Sequence, residues 1–244
     1  MKKNLLSVCV CLIGIFPLWG QNITVAGKSD TFAVSEKQKE FYYIEKEFPL
    51  TDDHWLATLE GFCTNTKKSN LENLFYGFWE KANAMGANSF FIEGSSNASD
   101  TTFVSISIFN LTEKELDDNY ALYSCNKVYV FGDWTAPNPK AKTPKSREIK
   151  VNGEKVKIYP LNYYEYQSDI GESVSISIGG IFGSGYTRTG EAGKVSAYLS
   201  LGGGTVRPGY TPMGGVGISF SSGSIYPLDI NFGQFLAEIL DDKE

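Results

Sequence analysis

Fifteen of the 25 glycines lie between Gly171 and Gly223, and this spacing constrains the fold more than any other feature of the chain. Glycine costs a helix interior about 1 kcal/mol relative to alanine, so a stretch that repeats it every few residues excludes a long helix. Between the glycines run "ESVSISIGG", "KVSAYLSLGG" and "GVGISFSSG", where small polar residues alternate with Val, Ile, Ala and Leu. That period of two gives each run one apolar and one polar face. Glycine then serves turns, bulges and tight backbone approaches. The expectation for residues 148–244 is a glycine-rich antiparallel, sandwich-like β-module. It opens on "REIKVNGEKVKIYP", where Asn152-Gly153 has the composition of a two-residue hairpin turn. It closes on Phe232, Phe235, Leu236, Ile239 and Leu240, whose helical spacing predicts a short C-terminal helix docked on the sheet.

Residues 21–134 read differently. "SNLENLFYGFWEKANAMG" predicts a helix: Ser69 and Glu72 stand at capping-box spacing, and Leu71, Leu74, Phe75, Phe78, Ala82 and Met85 share one face. Gly86 supplies the stop. Strands are expected at "HWLATLEGF", "NSFFIEG", "TTFVSISIFNLT" and "NKVYVFGDW", with a short polar helix at "TEKELDDNYALY" carrying Thr112 and Glu115 at capping-box spacing. The order β-α-β-β-α-β implies an α+β layer, with helices on one face of a small sheet that the last strand closes. Between the halves, "TAPNPKAKTPKSR" (residues 135–147) holds three prolines and four basic residues and reads as an exposed linker.

The turn "KANAMGANSFFIE" resembles the helix-to-strand turn of the βαββ envelope domains found in the Rcs outer-membrane lipoprotein sensor and in the YbjQ-like family. The matching positions are Ala82, Gly86, Ala87, Asn88 and Phe90–Ile92, within residues 50–133. The resemblance implies an α+β envelope domain of a kind often without enzymatic activity. It carries no stress-sensing role here, because the lipidated cysteine and the four-cysteine framework of that sensor are missing.

The compartment follows from the first 20 residues. Lys2 and Lys3 precede an apolar run from Leu5 to Trp19 that is too short to span a bilayer with ease, the pattern of a signal peptide ending at Gly20. Its removal leaves 20 basic against 28 acidic residues, a net charge of −8 that argues against nucleic acid as a partner. The mature chain has no further run of transmembrane length. An outer-membrane barrel is excluded by strands that are too short and by the polar ending "LDDKE". The expected location is periplasmic or extracellular, with outer-membrane association open.

Cys63 and Cys125 are the cysteines that survive processing. In an oxidising compartment an isolated pair reads as one disulfide. The bridge requires the first and last strands of the first half to be antiparallel neighbours; otherwise the two thiols stay apart. Two buried thiols, or a reactive thiol beside His54, are the alternatives.

Candidate chemistry is sparse. Asp52, Asp53 and His54 are adjacent and have neither helical nor knuckle metal spacing, so no metal or cofactor is expected. A hydrolase would have to use His54, the only histidine, with an unidentified carboxylate or nucleophile. The glycine-rich runs at residues 179–185 and 202–209 lead into no helix and read as turns. "YPLNYYEYQ" offers Tyr163, Tyr164 and Tyr166, with Trp134 nearby in sequence, as a candidate aromatic surface for a glycan or an envelope protein. The sequence therefore points to a non-enzymatic binding or structural component of the cell envelope, with a secreted hydrolase as the alternative.

Overall fold

The computed structural model describes residues 22–29, 40–98, 101–134, 146–178, 184–202, 209–210, 216–217 and 224–242. The signal peptide, nearly all of the expected linker and several glycine-rich turns lie outside these residues.

The first sheet is built from β1 (Asn22–Lys28), β2 (Tyr42–Tyr43), β3 (Trp55–Cys63), β4 (Ser89–Ala98) and β5 (Thr101–Phe109), with α1 (Leu71–Ala84) between β3 and β4. Its order is β1-β3-β5-β4-β2, antiparallel except for the β2–β4 pair. Helix α1 therefore carries the chain over β5, so that β3 and β4 flank it. The helix is capped by Asn70, whose side chain accepts from Asn73 N, and not by the expected Ser69. Ser69 Oγ accepts instead from Thr64 N in the loop before the helix. Leu71, Leu74, Phe75, Phe78 and Ala82 are buried as the periodicity requires; each large apolar side chain so placed contributes about 2 kcal/mol. The helix approaches β3 at Gly61, where a Cβ would lie 2.9 Å from both Leu74 and Phe78.

The turn after α1 is a complete Schellman motif. Gly86 has φ 77°, its N–H donates to Asn83 O, and Ala87 N–H donates to Ala82 O. Asn88 then clamps the backbone of Leu111, donating through Nδ2 to its carbonyl at 2.7 Å and accepting its N–H at Oδ1 at 2.9 Å. The turn residues of "MGANS" are thus accounted for by architecture.

Helix α2 (Glu113–Tyr120) starts with the expected capping box between Thr112 and Glu115. The following strand, β6 (Lys127–Phe131), does not close the first sheet as expected. It lies at the centre of a second five-stranded sheet. The remaining strands are β7 (Arg147–Val151), β8 (Glu154–Ile158), β9 (Asn162–Gln167), β10 (Ser173–Ile178), β11 (Ser184–Thr189), β12 (Ala197–Gly202), β13 (Gly209–Tyr210), β14 (Val216–Gly217), β15 (Ser224–Pro227) and, after α3 (Ile230–Ile239), β16 (Asp241–Asp242). They form the sheets β15-β12-β6-β9-β16 and β11-β10-β7-β8, while β13 pairs with β14. The physical reason for the placement of β6 is that both its faces are buried. Val128 and Val130 pack with Leu199, Ile149, Ile176 and Ile178. Tyr129 and Phe131 point the other way, into the aromatic core.

That core crosses the expected boundary between the halves. Phe232 and Phe235 of α3 each lie 5.2 Å from the Phe75 ring of α1, and Phe232 meets Trp134 edge-on at 5.6 Å. Tyr198 of β12 packs on α3 at Gly233. Helix α3 is therefore shared between the first sheet and the sheet around β6. The fold is mostly β with three helices among the described residues, and none of those helices is long and apolar enough to cross a membrane.

Candidate functional site

His54 ends a 3₁₀ turn, Asp52–His54, directly before β3. Its Nδ1 lies 3.2 Å from Asn110 O and its Nε2 lies 3.0 Å from Glu115 Oε1. Glu115 is itself fixed by the capping box: its Oε2 accepts from Thr112 N and from Thr112 Oγ1. The hydrogen bonds from Thr112, with a smaller contribution from His54, hold the Glu115 carboxyl below the usual carboxylate range. Histidine and carboxylate thus meet as a general base would require. The third partner, a hydroxyl or thiol on the imidazole, does not occur among the described contacts of His54. Asp52 and Asp53 are exposed on the same turn and do not converge on the imidazole.

The cysteines are not bridged, against expectation. Cys63 ends β3 opposite Thr102 and donates to Asn65 Oδ1, whereas Cys125 precedes β6 and bridges Val195. Because β6 left the first sheet, the antiparallel neighbourhood that a Cys63–Cys125 disulfide needed does not exist. Burial pushes the Cys63 thiol up to about 11, opposite to what a nucleophile needs.

The four aromatic candidates divide between different surroundings. Trp134 is buried at 4% exposure and drops out as a surface residue. Tyr163 turns into the aromatic core, 5.7 Å from Tyr129 and 5.6 Å from Phe131. Tyr164 and Tyr166, on the other face of β9, are half-buried and line a concavity of about 230 Å³ with Val151, Asn152, Glu154 and Val156. Its polar wall is ordered: Asn152 Nδ2 donates to Tyr166 Oη at 3.0 Å, which donates to Glu172 Oε1 at 2.7 Å. The bond to Glu172 raises the Tyr166 hydroxyl above its ordinary pKa. Asn152 Oδ1 in turn accepts from Ser175 N. The hairpin turn, with Asn152 at φ 51° and Gly153 at φ 90°, holds this amide in place.

Two further arrangements escaped sequence reasoning. The face of the first sheet opposite α1 carries a larger concavity, about 570 Å³, lined by Leu50, Thr51, Asp52, Trp55, Phe91, Glu93, Ser107 and Phe109. Its rows come from register: Trp55 opposes Phe109, and Ser107 opposes both Thr58 and Phe91. Helix α2, the strand end at β2 and α3 also meet in a polar network. Asn119 bonds both Glu45 N and Tyr43 O, Tyr123 Oη donates to Tyr43 O, Asn231 Oδ1 accepts from Tyr43 N, and Gln234 Nε2 donates to the Glu45 carboxylate. Desolvation, then Glu47 and Glu238, push Glu45 up to about 7. Alternation in "TTFVSISIF" was the available signal for the first arrangement. The second joins residues far apart in sequence and has no local signature.

Comparison with protein-family models, curated proteins and solved structures finds no match for this chain.

Proposed function

We propose that this is an exported, non-enzymatic binding or structural component of the cell envelope, in a periplasmic, extracellular or outer-membrane-associated position, whose ligand is a glycan or another envelope protein. The observation that carries the reading is the contrast between two sites. His54 and Cys63 are committed to architecture, His54 to Asn110 and Glu115 and Cys63 to a buried position. Tyr164 and Tyr166 instead line an open concavity with an ordered hydroxyl–amide wall. Aromatic walls with a few fixed polar groups suit recognition of a sugar or a peptide.

The apolar run before Gly20 supports export. The β3-α1-β4-β5 unit with Gly86-Ala87-Asn88 at its turn supports the resemblance to βαββ envelope domains. On this reading residues 148–244 are a glycine-rich, sandwich-like module that borrows β6 from the first half.

The test is binding of purified mature protein to isolated cell-envelope material. Wild type is expected to be retained and a Tyr164→Ala/Tyr166→Ala variant, shown to be folded by circular dichroism, to be released. Equal retention of both, or of neither, overturns the assignment. A second reading, a secreted hydrolase, draws on the His54–Glu115 contact. It predicts an ester- or amide-cleaving activity lost in His54→Ala.

A further inference from the structure

We infer that the concavity on the open face of the first sheet receives a basic side chain, lysine or arginine, from a partner polypeptide. The site is separate from the tyrosine concavity and does not depend on it.

Strand alternation gives the first sheet two unlike faces. Val104, Ile106 and Ile108 of β5 point to α1, so Phe103, Ser105, Ser107 and Phe109 face the opposite way. On this outer face the register sets Phe62 against Phe103, Glu60 against Ser105, and Thr58 against Ser107. The lower end is walled by Trp55, Phe91 and Phe109, which continue a small apolar cluster with Leu50, Phe48 and Leu111. Asp52 and Glu93 are exposed carboxylates on the rim. Neither forms an ion pair among the described residues, and no lysine or arginine lines the site.

Aromatic side chains beside two carboxylates that form no ion pair among the described residues select one ligand chemistry. An ammonium or guanidinium ion is attracted by both the aromatic rings and the carboxylates, and the methylene stem of its side chain covers the apolar wall. Anionic and purely apolar groups each lose one of these contributions. The site is open rather than enclosed, and the aromatic surface runs on beyond it. Phe62 and Phe103 stand 5.5 Å apart, Phe103 is 46% exposed, and Glu60 lies between them and the concavity. A free amine would use only the concavity; a polypeptide laid across the strands uses both. The acidic balance of the chain is complementary to such a partner.

The experiment is titration of the full mature chain with the peptide acetyl-Ala-Phe-Ala-Lys-Ala-amide, followed through the Trp55 indole resonance. Three comparison ligands are the same peptide with its lysine acetylated, the same peptide with glutamate in place of lysine, and n-butylammonium. The expected result is a saturable shift with the lysine peptide. Its affinity should fall at least tenfold on acetylation, in 0.5 M salt, and in the Asp52→Asn/Glu93→Gln variant, whose replaced side chains are exposed and leave the core untouched. Butylammonium should bind at least tenfold more weakly than the peptide. Absence of a saturable shift, equal binding of the acetylated or glutamate peptide, or full affinity in the double variant overturns the proposal. Equal binding of butylammonium overturns the polypeptide assignment and leaves a small-amine site. Loss of the shift in Tyr164→Ala/Tyr166→Ala would show that the two sites are one, also against the inference.

Discussion

Gln234 of α3 donates from Nε2 to the Glu45 carboxylate at 3.0 Å, joining residues 189 positions apart across the two halves of the chain. The other amide atom, Gln234 Oε1, is buried without a hydrogen-bond partner among the described residues. Around them stand Glu47, Glu238, Lys46 bonded to Glu238, Tyr43 and Tyr123. Burial and the neighbouring carboxylates Glu47 and Glu238 favour the neutral acid at Glu45 over the carboxylate.

Stability should therefore depend on pH through Glu45. Its folded-state value of about 7 lies above the ordinary 4.5, so the folded state binds the proton more tightly. The contribution is fully present below pH 4.5 and is lost as pH rises through 7. With partial exposure discounted, the loss is about 1–2 kcal/mol, or roughly 3–6 °C in melting temperature. Thermal melts of wild type and Glu45→Gln at pH 5 and pH 8 should show that extra fall in wild type only.

The docking of α3 on β12 rests on the absence of a side chain at Gly233. A Cβ there would stand 2.2 Å from Cγ of Tyr198. Gly233→Ala should cost about 1–3 kcal/mol by overpacking, whereas Gly94→Ala, with nothing within 4 Å, should change stability little. Denaturant melts of both variants make the comparison.

Thr112 caps α2 and, through Glu115, steadies His54. Removal of its hydroxyl in Thr112→Ala should cost about 1 kcal/mol. NMR titration of the Glu115 carboxyl in the same variant should also show its pKa rise toward the ordinary carboxylate value, since Glu115 loses the Thr112 hydroxyl bond that helps hold it low.

Thiol labelling distinguishes the two cysteines. Cys125 is half-buried and Cys63 is fully buried with its thiol pushed up to about 11. Native protein should label quickly at Cys125 and at Cys63 only on unfolding. A mass two daltons light with no labelled thiol would restore the disulfide.

Elements with local causes were legible in the sequence. The apolar stripe of α1, the Thr112–Glu115 box, the Asn152-Gly153 turn and the spacing of Phe232, Phe235 and Ile239 each need only a few neighbouring residues. The partners of β6 were not. "KVYVF" is apolar on both faces, so its pattern fits the centre of any sheet, and the choice was made by residues 160–200, which supply β9 and β12. The mistaken pairing of Cys63 with Cys125 followed from that one displacement. Among the candidate site residues, alternation in β9 separates Tyr163 from Tyr164 and Tyr166 in principle. Which side faces the core depended on Tyr129 and Tyr198, and hence on the same long-range pairing. The burial of Trp134 came from α3, nearly 100 residues later.

The most direct test of the envelope-binding role is photo-crosslinking in the native host, with a photoreactive residue at position 166 and, as a control, at exposed Tyr120 of α2. The account predicts a discrete adduct in the envelope fraction from position 166 that position 120 does not form. No adduct from position 166, or protein confined to the cytoplasm with its first 20 residues intact, would contradict it.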